Sequence, residues 1–190
     1  MIHKVKQIRE ELNGLLEKIC ASEKQGNIID TDEAIASSVE IILNSSSAGG
    51  KVIFIGNGGS AAIASHMAVD FWKNAKVKAI AFNDASLLTC LSNDLGYEHV
   101  FDKPIEEFGQ EQDALIAISS SGRSKNILNA VEAANKKGMN VITLSGFSHD
   151  NPLRSMGDIN FYVPSQDYGH VEVAHHYICH CFVNIILKQR

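Results

Sequence analysis

Residues 52–60 constrain this chain more than any other stretch. Val52, Ile53, Phe54 and Ile55 form an apolar run of strand length, and Gly56-Asn57-Gly58-Gly59-Ser60 turns the chain into an alanine-rich segment of helical composition. A strand, a glycine turn and a helix in direct succession aim main-chain N–H groups and the positive end of a helix at one concave spot. The glycines let an anionic ligand approach that main chain. Ser60 can cap the helix and also offer a hydroxyl. Four residues apart on the same helix, His66 and Asp70 share a face and can reach one ligand or metal, although such a pair also occurs as an ordinary solvated surface pair.

Further strands are predicted at Val77–Phe82, Ala114–Ile118, Met139–Leu144 and Ile159–Val163. Helical segments fall between them: one to about Asn74, one over 98–108 after the polar break Ser92-Asn93-Asp94, one to about Lys137 and a last from Gly169 to Lys188. Strands alternating with helices predict an α/β fold, a five-stranded parallel sheet with helices on both faces. Two more helices precede the first strand. Val5, Ile8, Leu12, Leu15, Leu16 and Ile19 recur at helical spacing from Ile2 to about Cys20, and Asp30-Thr31-Asp32 opens a second that stops at the Ser45–Gly50 stretch. These residues, 1–48, serve either to cover one face of the sheet or to pack on another subunit, and 51–190 form the ligand-binding core. At 190 residues and 45% hydrophobic content the chain has room for one buried core and not for two ordinary domains.

In open α/β sheets ligands bind beyond the carboxyl ends of the strands, where both the Gly56 turn and the loop Ser119-Ser120-Ser121-Gly122-Arg123-Ser124 are expected. Ser119, Ser120, Ser121 and Ser124 bring hydroxyls to the start of a helix, which suits a phosphate monoester; serines in such a turn also act simply as caps. Neither turn is a P-loop, and the glycine order does not match the dinucleotide fingerprint, so nucleotide hydrolysis and dinucleotide binding are disfavoured. A net charge of −5 with no basic cluster gives nucleic-acid binding no support. The start of the chain lacks the apolar segment of a secretory signal, and no apolar run has the length of a membrane span. Cys20, Cys90, Cys179 and Cys181 lack zinc-ribbon or redox spacing and read as reduced cytoplasmic thiols.

The last predicted helix concentrates acid-base and metal-binding side chains: His170, Glu172, His175, His176 and His180. Glu172, His176 and His180 follow i, i+4, i+8 spacing and form one stripe. His176 on this reading faces solvent or a neighbouring subunit. Glu172 and His180 combined with His66 and Asp70 would give a two-histidine, two-carboxylate set of the kind that suits zinc.

Taken together, the G-N-G-G-S turn with His66 four before an acid, the Asn93-Asp94 pair, the S-x-S-G-x-S loop and a terminal helix carrying His180 resemble the sugar isomerase (SIS) domain family. Within it the likeness is to the phosphoheptose isomerases, and it covers essentially the whole length. The resemblance implies conversion of sedoheptulose 7-phosphate to D-glycero-D-manno-heptose 7-phosphate through an enediol, for surface heptose biosynthesis in lipopolysaccharide or capsule. It implies substrate contacts at Asn57, Gly58, Gly59, Asn93, Asp94, Ser119, Ser120, Ser121 and Ser124, to which Ser60 and Glu172 are added by chemistry. Zinc ligands at His66, Asp70, Glu172 and His180 and a cytoplasmic homotetramer are likewise implied. Asp70 and His180 are expected to carry proton transfer, with Glu172 a further candidate.

Two of the four ligand positions depart from the family pattern, Asp70 standing for Glu and Glu172 for Gln. The family's Arg-Ile-Gln-Glu run reads His170-Val171-Glu172-Val173, and Trp72-Lys73-Asn74 occupies the region where an Arg commonly follows the first acid. Two carboxylates and two neutral imidazoles would cancel the charge of a zinc ion and weaken its pull on a substrate oxygen. Two other readings stay open: an SIS isomerase for a different sugar phosphate, and a non-catalytic SIS protein that binds a phosphosugar or a protein partner.

Overall fold

The computed structural model describes residues 1–24 and 26–189. Its elements are α1 (Ile2–Leu16), β1 (Cys20–Glu23), β2 (Ile28–Ile29), α2 (Thr31–Ser47), β3 (Val52–Gly56), α3 (Gly59–Lys73), β4 (Ala79–Ala81), α4 (Ala85–Leu95), α5 (Asp102–Phe108), β5 (Ala114–Ser119), α6 (Lys125–Lys136), β6 (Asn140–Ser145), β7 (Ile159–Tyr162) and α7 (Tyr168–Lys188). Side-chain alternation along the central strands sets the layers. Val52 and Phe54 of β3, with Ala114, Ile116 and Ile118 of β5, face a core built with α2, α3 and α7. Ile53 and Ile55, with Leu115 and Ala117, face the opposite core beneath α5 and α6. All of these strand residues are fully buried, as parallel strands covered on both sides require.

Strand order in the sheet is β2-β1-β7-β6-β5-β3-β4. Pairs from β4 through β7 are parallel, whereas β1 pairs antiparallel with both β7 and β2. The sheet therefore has seven strands rather than the expected five. Its two additional strands, β1 and β2, lie between the first helix, which stops at Leu16 rather than about Cys20, and α2. Cys20 to Glu23 instead gain a backbone ladder along Ile159–Tyr162. From the β3–β5 seam the chain order proceeds outward on both sides, to β4 beyond β3 and to β6 and β7 beyond β5, so the strand order reverses there. A crevice opens at the carboxyl ends of such a pair.

The helix predicted over 98–108 is split into a short 3-10 turn, Tyr97–His99, and α5. Pro104 lacks the N–H that a continuous helix would donate to Val100, and sits in the first turn of α5 where none is needed. The two helices ahead of β3 have different fates. Ala34, Val39 and Ile42 of α2 are buried in the core, whereas α1 buries only Leu15 and leaves Ile2, Val5 and Ile8 exposed. Among the described residues no helix is long and apolar enough to cross a membrane, and all four cysteines are free thiols.

Candidate active site

A cavity of about 250 Å³ occupies the crevice beyond β3 and β5. The turn after β3 supplies Asn57, Gly58, Gly59 and Ser60 to its wall, the loop after β5 supplies Ser119, Ser120, Ser121 and Ser124, and α7 supplies Tyr168 and Glu172. Gly58 caps α3 at φ 55° and ψ −122°, a left-side conformation that a side chain would strain. Asn57 and Asn126 exchange side-chain hydrogen bonds of 2.9 Å in both directions, and the Tyr97 hydroxyl donates to Asn57 Oδ1 at 2.8 Å. These bonds tie the glycine turn to the first turn of α6, so the two ligand-facing loops are held at a fixed separation.

Within the serine loop, Gly122 N donates to Ser119 Oγ at 3.2 Å and Arg123 N to Ser121 Oγ at 3.3 Å. Ser124 occupies the N-cap of α6 without making a side-chain cap bond; its hydroxyl accepts from Ser119 Oγ at 3.5 Å and lines the cavity. The loop's one cation, Arg123, is paired outward with Asp150 at 2.8 Å. An anion here is met by hydroxyls, main-chain N–H groups and the N-terminus of α6 rather than by a basic side chain. Glu172 sits at the other end. Its carboxylate lies against Gly59 at the N-terminus of α3, so close that a Cβ at residue 59 would collide with it. A donor-rich loop at one side of the cavity thus faces a carboxylate at the other.

Further along the contact between α3 and α7 lies a histidine cluster, with His66 exposed and His176 and His180 half-buried. One ring nitrogen from each of His66, His176 and His180 falls within 4.8 Å of the others. The His176 and His180 rings are 4.6 Å apart, and His66 stands edge-on to both at 5.1 and 5.6 Å. Asp70 adjoins them, with Oδ2 3.5 Å from His66 Nε2 and 3.9 Å from His180 Nδ1, and its other oxygen accepts from Asn74 at 3.0 Å. Burial, then the adjacent His180 and His66, holds His176 below the ordinary histidine range, while Asp70 pulls the other way. Its Nε2 is buried without a hydrogen-bond partner. Three imidazoles, one with such an orphaned nitrogen, fit a divalent transition metal such as zinc.

The structure thus gathers His66, Asp70 and His180 in one place and sets Glu172 two helical turns before His180 on α7, roughly 12 Å along the axis, at the cavity wall. Asn93 and Asp94 do not line the cavity; both are exposed near the end of α4, where Asn93 Nδ2 donates to Asp94 Oδ1 at 2.8 Å. His175 belongs to neither region. It is fully buried with its Nε2 3.1 Å from Ser145 O, and burial lowers it to about 4. Sequence reasoning missed three participants. His176 was placed on the right stripe, but its contact with His66 depends on how α3 meets α7. Tyr168 and Asn126 carried no signal beyond following the Asp167 and Ser124 caps.

A SIS domain matches residues 5–146 of this chain. The phosphoheptose isomerase of Yersinia pestis (strain Pestoides F) is 38% identical over 188 residues, covering 96% of this chain and 95% of that protein. Among solved structures, the phosphoheptose isomerase GmhA from Neisseria gonorrhoeae superposes with a TM-score of 0.84 at 30% identity, covering 97% of this chain and 98% of that one. A phosphoheptose isomerase from Francisella tularensis gives 0.85 at 30% identity, covering 100% and 99%.

Proposed function

The chain belongs to the SIS domain family, and from that premise we propose that it is a phosphoheptose isomerase, an aldose-ketose isomerase converting sedoheptulose 7-phosphate to D-glycero-D-manno-heptose 7-phosphate. The observation that carries this reading is the cavity itself: a donor-rich serine loop whose one cation is paired away with Asp150, facing a carboxylate across the crevice, with a histidine cluster further along α3 and α7. Ser119, Ser120, Ser121 and Ser124 grip the phosphate, and that grip fixes the far end of the sugar. Asn57, Gly58, Gly59 and Ser60 line the sugar's path.

Isomerisation moves a proton between C1 and C2 and a second between their oxygens, which requires one group at carbon and another at oxygen. Asp70, His180 and Glu172 are the side chains for this work. A divalent metal, zinc in this reading, supplies charge stabilisation at the sugar oxygens when bound; His66 and His180 are donors that would hold it. The exposed apolar stripe Ile2, Val5 and Ile8 of α1 supports assembly into a homo-oligomer, a tetramer by analogy with the family, working in the cytoplasm. The product feeds surface heptose biosynthesis.

Turnover on a panel of sugar phosphates, with and without chelator, tests the proposal. Sedoheptulose 7-phosphate should be the preferred substrate and chelator should suppress turnover. Preference for another ketose or aldose phosphate would move the chain to a different SIS isomerase, and no turnover with any of them in the presence of zinc would make it a non-catalytic binder.

A further inference from the structure

His66, Asp70 and His180 leave open which group on α7 completes a metal site, Glu172 or His176. Both lie on the stripe that faces α3. Their surroundings differ. The Glu172 carboxylate is packed on Gly59, where the first N–H groups of α3 and the positive end of the helix hold a negative charge. It has a position of its own and lines the cavity. The His176 Nε2 is buried and has no partner in the protein. It belongs to a set of three imidazoles whose ligand atoms are all within 4.8 Å of one another. Ligand atoms around tetrahedral zinc, with bonds of about 2.0–2.1 Å, stand about 3.3 Å apart, so modest ring rotations close this set on an ion.

We propose that the metal of this chain is held by His66, His176 and His180 with Asp70 beside them, and that Glu172 is not a metal ligand but faces the bound sugar phosphate. This rests on the metal-dependent isomerase reading above. It reverses the charge argument made from sequence. Three neutral imidazoles and a single carboxylate leave a dication with net positive charge, whereas two carboxylates would cancel it. The ion keeps its pull on a substrate oxygen, and Glu172 keeps free lone pairs in the cavity for a sugar hydroxyl or a proton. Asp70, a methylene shorter than glutamate, is steered by Asn74 toward His66 and His180.

Zinc alone, without sugar phosphate, is the probe. Metal-free protein is titrated with zinc by calorimetry, and bound metal is counted by elemental analysis. The unaltered chain should bind about one ion per subunit. His176→Ala should weaken binding by about a hundredfold or more, beyond the ten- to hundredfold seen for loss of an outer-shell partner. Glu172→Gln should stay within about threefold of the unaltered chain. His176→Phe keeps a ring in the same space and should lose zinc as well, which guards against an unfolded alanine variant. An unaltered chain that binds no zinc, a His176→Phe variant that keeps it, or a Glu172→Gln variant that loses it would overturn the assignment. Turnover is read separately: retained three-histidine binding with no isomerase activity would sink the functional reading and leave the metal site standing.

Discussion

The two ends of the α3–α7 groove are built on opposite principles. At the upper end, beside the helix N-termini, the cavity wall is made of main-chain groups and serine hydroxyls, and the charge present is the Glu172 carboxylate against Gly59. At the lower end, main chain gives way to side chains: three imidazoles and Asp70, with one nitrogen left unpartnered. On the function proposed above, the upper end holds the substrate and the lower end acts on it. A helix terminus has free backbone groups to offer and a helix interior has none, so main-chain groups are available where α3 and α6 begin and only side chains two turns further along α3.

The comparison breaks most visibly if the two ends respond alike to substitution. His180→Ala should lower kcat by about a hundred- to ten-thousandfold with a much smaller change in KM, because it removes a donor of the metal centre together with any proton transfer the imidazole carries. Steady-state kinetics on sedoheptulose 7-phosphate measure it. A change confined to KM would move His180 out of the proton-transfer machinery.

His175 sharpens the contrast from beside the cluster, because it is one residue from His176 and takes no part in either end. Its folded value of about 4 lies below the ordinary 6.5, so the unfolded chain binds the extra proton between those values. The stability it permits is complete above about pH 6.5 and is lost as pH falls toward 4, by at most roughly 3 kcal/mol. Denaturant melts of chelator-treated protein should show that slope, and His175→Gln, which keeps a donor for Ser145 O, should flatten it. Equal slopes in both proteins would mean that the buried imidazole is not the source.

At the upper end, Ser121→Ala should weaken sugar phosphate binding by about ten- to a hundredfold, the loss of one hydrogen bond to a charged group at roughly 1.5–3 kcal/mol, while kcat and the melting temperature hold. Unchanged affinity would reject the serine loop as the phosphate grip. A smaller effect, about tenfold in kcat/KM, is expected from Gly59→Ala, whose new methyl displaces Glu172 without straining the backbone. Restoration of the loss by a smaller residue at position 172 would not be expected, since the carboxylate itself is what the cavity then lacks; a Gly59→Ala enzyme with full activity would show that Glu172 has no need of that position.

Much of this was legible in the sequence where local chemistry decides structure. Val52–Ile55 and Ala114–Ile118 are apolar on every residue, and only a strand covered on both faces buries them so. The turns that follow are written in Gly and Ser for the same local reason. β1 was not legible: Cys-Ala-Ser-Glu has no alternation and low strand preference, and it is extended because β7 offers it a free edge. His176 was hidden similarly. Helical spacing put it beside Glu172 and His180, but which of the three turns toward His66 is a property of the α3–α7 packing, decided by Met67, Phe71, Ile178 and Phe182 in the core rather than by the histidines.

Isomerase activity is the central claim, and proton NMR of sedoheptulose 7-phosphate incubated in deuterated water with the zinc-loaded protein tests it most directly. The account predicts that aldose signals of the heptose 7-phosphate grow in, that solvent deuterium enters the carbon next to the carbonyl as an enediol requires, and that chelator stops both. An unchanged ketose spectrum after prolonged incubation with ample protein and zinc would contradict it.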